Sequence, residues 1–166
     1  ENFFFLGGGY LLGIPTPIYV FALVCIISAI VLGLTPFGRA IYAVGSNEEA
    51  ARLSGINVPL VIFGVYTICG VLAALSGLIF LSRLPVGDPN SGLGLELEAI
   101  TIAVIGGTSL FGGEGSILGT VGGAMVLAII ANVLNLAGVS PFSQQVVKGA
   151  IIILAVLLES GRKPRN

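Results

Sequence analysis

The chain has 166 residues, 55% of them apolar and only 9% charged, with 25 glycines, no His, no Trp and a net charge of −1. An ordinary soluble domain carries about 25% charged residues, so a chain with this composition and a mean hydropathy of +1.07 reads as membrane-embedded. The same numbers exclude a nucleic-acid binder, which needs a basic excess, and a zinc site, which two cysteines without histidine cannot build.

The chain starts at Glu1 without a signal-peptide pattern, which leads us to expect a trimmed chain or a fragment. Gly7-Gly8-Gly9 and Pro15-Thr16-Pro17 mark an outer loop. Apolar runs, uncharged in the first four and interrupted by Lys148 in the last, then give five membrane segments, at about 18–34, 60–81, 99–111, 115–137 and 144–159. The second would be about 33 Å long as a helix, enough for a hydrocarbon core of roughly 30 Å. The third is short and glycine-rich, so it is either a full span or a re-entrant half helix. Gly138-Val139-Ser140-Pro141 breaks the long run between the fourth and fifth. The expected fold class is therefore all-α, a polytopic transmembrane helix bundle.

Arg39 and Arg52 lie between segments one and two, and Arg162, Lys163 and Arg165 follow segment five. Five crossings place both groups on one side, which the positive-inside rule makes cytoplasmic. Residues 35–59 are then a cytoplasmic loop and residues 82–98 an extracytoplasmic one. Lys148, near the outer end of segment five, is expected to snorkel to the headgroups. No Asp or Glu falls in the middle of a segment, which weighs against a proton-coupled carrier and suits a neutral solute.

Gly115, Gly119 and Gly123 share one helix face, which Ala131 and Asn135 extend; Ala73 and Gly77 repeat the spacing in segment two. Small residues so spaced let helix backbones approach closely. Asn132 and Asn135 are expected to bond across helices, with a solute-contacting role as the alternative. Cys25 and Cys69 lie in apolar runs and read as small core residues. The run Gly106–Gly115 reads as a tight reversal. No G-x-x-x-x-G-K-[ST] occurs, so the chain has no P-loop of its own.

The inner loop is the most informative stretch. Ser46 followed by Glu49 fits a capping box, Asn47–Ser54 a short helix, and Gly55 its C′ position. Glu48 and Arg52 stand four apart with opposite charge. A helix this short is unstable alone in water, so something must dock against it.

Glu49-Ala50-Ala51-Arg52-Leu53-Ser54-Gly55 matches the EAA-x-x-x-G pattern of permease subunits in ATP-binding-cassette importers. The wider string from Gly38 to Ile56, the block Val104-Ile105-Gly106-Gly107-Thr108-Ser109-Leu110, and Val139-Ser140-Pro141-Phe142 leading into Val147-Lys148-Gly149 resemble the ribose-type sugar permeases. The likeness covers nearly the whole chain and corresponds to the C-terminal half of a family protein. The resemblance implies a single permease domain in a bacterial inner membrane. Its partners would be a second copy, two cytoplasmic ATPase subunits and an extracytoplasmic solute-binding protein. It implies no cofactor and no catalytic residue in this chain. Asn47, Glu48, Glu49, Ala50, Ala51, Arg52 and Gly55 would meet the ATPase: Glu48, Glu49 and Arg52 by polar contacts, Ala50 and Ala51 by close fit, Gly55 by its turn. Arg83, Asp88, Glu96 and Glu98 would face the binding protein. The competing reading is a secondary transporter or channel domain for a neutral polar solute, which would have no use for the 47–55 helix.

Overall fold

The computed structural model describes residues 7–11, 13–84 and 92–162. They form a hairpin of two short strands, β1 (Tyr10–Leu11) and β2 (Ile14–Pro15), followed by helices α1 (Thr16–Leu34), α2 (Pro36–Ser46), α3 (Glu48–Leu53), α4 (Val58–Ser82), α5 (Leu95–Ile105), α6 (Ile117–Leu136) and α7 (Pro141–Arg162). α1, α4 and α6 are long and apolar enough to cross a membrane, and α7 carries a shorter apolar stretch, Phe142–Ile153. The chain divides into two compact units, Glu1–Ser91 and Gly92–Asn166.

In the first unit the hairpin is tied to α1 by Thr16, whose N–H and hydroxyl both donate to the Gly9 carbonyl at 2.9 Å. None of the α1 side chains is buried. An apolar helix left so open is covered by lipid or by other protein, since water would not tolerate it. The corner from α1 to α2 is a single residue. Thr35 donates its hydroxyl to Val31 O at 2.6 Å and accepts from the Gly38 N–H at 3.1 Å, while Pro36 takes the first helical position. A Cβ at Gly38 would run into the Val31 and Leu32 carbonyls, and one at Gly64 would come within 2.8 Å of the Phe37 ring. Those two glycines let α2 lie close on both α1 and α4.

In the second unit α5 packs between α6 and α7. A Cβ at Gly119 would strike Gly106 O, and one at Gly123 would strike Ile102 O. These contacts make α5 and α6 antiparallel and confirm the glycine face of α6 as a packing surface. α5 ends in a Schellman turn at Gly107 (φ +83), where Thr108 N–H bonds Ala103 O at 3.0 Å and Gly107 N–H bonds Val104 O at 2.9 Å. Gly112 and Gly113 also take positive φ, so the expected reversal is present. Ser116 then caps α6 by accepting from Gly119 N–H at 3.0 Å.

Several expectations need correction. The third segment is helical over Leu95–Ile105, not 99–111, because the Gly106-Gly107 turn stops it. At about 1.5 Å per residue, its 11 residues reach about 16 Å, the half-helix alternative. A half helix removes one of the five crossings, so the count no longer puts Arg39 and Arg52 on the same side as the C-terminal basic residues. The outer loop 82–98 is correspondingly shorter: Ser82 closes α4, and Glu96 and Glu98 belong to the first turn of α5. Most of 35–59 is helical, and α2 was not anticipated. Cys69 is exposed, not core. A Cβ at Gly77 would meet nothing within 4 Å among the described residues. Asp88, Lys163 and Arg165 lie outside the described residues.

Candidate functional site

The 47–55 segment folds into α3, held at both ends. The cap is Asn47, not Ser46: the Asn47 Oδ1 accepts from Ala50 N–H at 3.0 Å. Ser46 is the last residue of α2, so its side chain is in the wrong place to start another helix. Asn47 serves both helices, because its own N–H bonds Ala43 O at 3.1 Å and closes α2. At the far end Gly55 (φ +84) forms a second Schellman turn. Gly55 N–H bonds Arg52 O and Ile56 N–H bonds Ala51 O, each at 3.1 Å. Asn57 then caps α4 through Leu60 N–H at 3.3 Å.

α3 turns one residue inward. Ala51 is 4% exposed, and Val58 at the start of α4 is 1% exposed. Ala51 is therefore the foot by which α3 stands on its own chain, and the expectation that it fits against a partner is corrected. Asn47, Glu48, Glu49, Ala50, Arg52 and Gly55 are all exposed. Glu48 Oε1 meets Arg52 at 3.0 Å, with both side chains more than half exposed, so this pair adds at most about 0.5 kcal/mol. Leu53 is 85% exposed. The result is a polar knob with an apolar tip.

The two asparagines of α6 part company. Asn135 accepts from Gln144 Nε2 at 2.8 Å, and the same amide nitrogen donates to Val139 O at 3.0 Å. Gln144 is 8% exposed and locks the α6–α7 turn, so Asn135 is tied up in structure. Asn132 is exposed.

Lys148 does not snorkel. Its ammonium meets Glu98 Oε1 at 3.0 Å, joining α7 to α5. An acidic partner within reach satisfies the charge more directly than distant headgroups. Sequence reasoning missed this pair because it left Glu98 in a loop. A signal was present: Leu93, Leu95, Leu97 and Ile100 carry apolar character through both glutamates, and acids favour a helix's first turn.

The sequence matches the family described as branched-chain amino acid transport system, permease component, over residues 1–156. The chain belongs to this permease family. The permease is 47% identical over 163 residues to the ribose import permease protein RbsC of Escherichia coli (strain K12), covering 98% of this chain and 51% of that protein. Against the ribose import permease protein RbsC of Bacillus subtilis (strain 168) it is 48% identical over 158 residues, 95% of this chain and 49% of that one. Against the xylose transport system permease protein XylH of Escherichia coli (strain K12) it is 47% identical over 154 residues, 93% of this chain and 39% of that one. The permease thus spans about half the length, or less, of the curated relatives it matches. No solved structure matches it. Membership and the apolar helices make it a multi-pass membrane protein.

Proposed function

We propose that this chain is part of the membrane-spanning permease of an ATP-driven importer for a ribose-like sugar. It supplies part of the translocation path and couples to a separate ATPase through α3. The observation that carries the reading is the exposed α3 knob bearing the EAA-x-x-x-G residues, in a chain nearly half identical to ribose and xylose permeases. A six-residue helix, capped at both ends and standing on one buried alanine, is presented for contact from outside. Glu48, Glu49 and Arg52 offer polar contacts and Leu53 an apolar tip to a groove in the ATPase. Two copies of the permease, two ATPase subunits and an extracytoplasmic binding protein complete the assembly. Hydrolysis belongs to the ATPase, which fits a chain without a P-loop.

The test uses the full-length permease co-expressed with its ATPase. Glu49→Lys and Leu53→Asp change side chains that project away from the chain's own packing, so membrane levels should hold. The expected result is about a tenfold fall in co-purified ATPase, corresponding to about 1.4 kcal/mol of lost contact, together with loss of sugar-stimulated hydrolysis. Wild-type co-purification and coupled hydrolysis in both variants would refute the docking role.

A further inference from the structure

Glu98 lies deeper in the second unit than its place in the sequence suggests. Gly106 faces Gly119, and Ile102 faces Gly123, so each turn toward the start of α5 is a turn further along α6. Glu98, one turn before Ile102, is therefore level with about Leu127, the middle of the 20-residue α6 and itself 2% exposed. α5 begins just beyond, at Leu95 after the Gly94 cap, and so starts at mid-height of its neighbour. Broken helices that begin at mid-depth line solute paths in membrane transporters, and ionisable groups there are too costly to be idle.

The pair opens onto a cavity of about 80 Å³, lined in part by Gly94, Leu97, Glu98, Gln145, Lys148 and Gly149. Neither partner is sealed in: the Lys148 side chain is 21% exposed and that of Glu98 33%. Their mutual bond uses one carboxylate oxygen and one ammonium proton. The second Glu98 oxygen, the other Lys148 protons and the Gln145 amide carry no bond among the described residues. Gly94 (φ +89) leaves the Gln145 amide its room, since a Cβ there would sit 3.3 Å from Nε2.

We propose that Glu98, Gln145 and Lys148 form a hydroxyl-binding station that takes the diol edge of a neutral sugar as it passes; this rests on the sugar-permease reading above. A carboxylate accepts from a hydroxyl, an ammonium donates to one, and an amide does both. A closed ion pair has no net charge, so the station suits a neutral polyol and offers no gain to a charged solute. The cavity is small and open on one side, which suits it to seat one edge of a pentose. Leu97 and the bare Gly149 supply the apolar wall that a sugar's C–H face prefers.

The experiment uses the full-length permease with its ATPase and saturating binding protein in proteoliposomes. Uptake of ribose and of its monodeoxy analogues, each normalised to sugar bound by the binding protein, is compared for wild type, Gln145→Ala and Glu98→Gln. Gln145 is exposed and outside the ion pair, so its variant keeps the α5–α7 tie. At one or two hydroxyl positions the wild type should favour ribose over the deoxy sugar by about tenfold, well below the discrimination of a fully buried polar site. Both variants should bring that ratio toward 1 while ratios at other positions stay unchanged. Wild-type ratios in both variants, even with slower overall uptake, would show the pair to be a structural tie only and overturn the station. A wild type without preference at any position overturns it equally. A wild-type assembly that moves no sugar at all would bring down the sugar-permease reading, and the station with it.

Discussion

At the scale of single residues, Asn47 and Gly55 decide whether α3 exists. Asn47 supplies the side-chain cap at the N-terminus of a six-residue helix, and a helix this short has little else to hold that end. Asn47→Ala should destabilise the segment by about 1 kcal/mol, and Asn47→Asp should restore it. Faster hydrogen exchange at the amides of residues 50–53 in the alanine variant checks this. Gly55 sits at φ +84 with open space around it, so a side chain there suffers from backbone strain and not from crowding. Gly55→Val should cost about 1–2 kcal/mol locally, visible in the same exchange measurement, with Gly55→Asn costing less. Sequence alone located the short helix and its glycine stop because both follow local rules. It chose the wrong cap because Ser46 and Asn47 are adjacent candidates. Only the length of α2, set by its packing on α1 and α4, assigns Ser46 to the preceding helix.

At the scale of elements, the decisive contact is the backbone approach of α5 to α6. Gly106, Gly119 and Gly123 meet carbonyls where any side chain would collide with backbone, which cannot swing aside. Gly119→Val should separate the helices and destabilise the second unit by about 3 kcal/mol or more, at the upper end of overpacking costs. Gly122→Ala, on an open face, should be nearly silent. Thermal unfolding in detergent of the two variants makes the comparison. The spacing of four among the glycines was enough to foresee a close approach, though not which helix would arrive. The same spacing recurs at Ala73 and Gly77, yet a Cβ at Gly77 would meet nothing within 4 Å among the described residues. Spacing reports a surface that admits a neighbour, and the neighbour itself is a matter of tertiary structure. The boundaries of α5 were harder to read. Charge is the usual marker for leaving the membrane, and Glu96 and Glu98 break that rule because one of them is neutralised by a lysine fifty residues away.

At the scale of the whole molecule, orientation rests on a few charges. By the positive-inside rule, Arg39 and Arg52 lead us to expect α3 on the cytoplasmic side. With the protein's native cysteines, Cys25 and Cys69 among them, replaced by alanine, a single cysteine at Asn47 should react with a membrane-impermeant maleimide in inside-out vesicles and stay unreacted in intact cells. The reverse pattern would remove α3 from the ATPase side. The joints around α3 bear on what such a placement can achieve. Thr35 alone separates α1 from α2, Asn47 alone separates α2 from α3, and four residues lead from α3 into α4. Each joint is pinned by a side-chain or Schellman hydrogen bond. The chain between two long apolar rods is thus an articulated linkage with almost no slack. A displacement of a few ångströms at Leu53 has no floppy tether in which to dissipate, so it must emerge as rotation or tilt of α1 and α4.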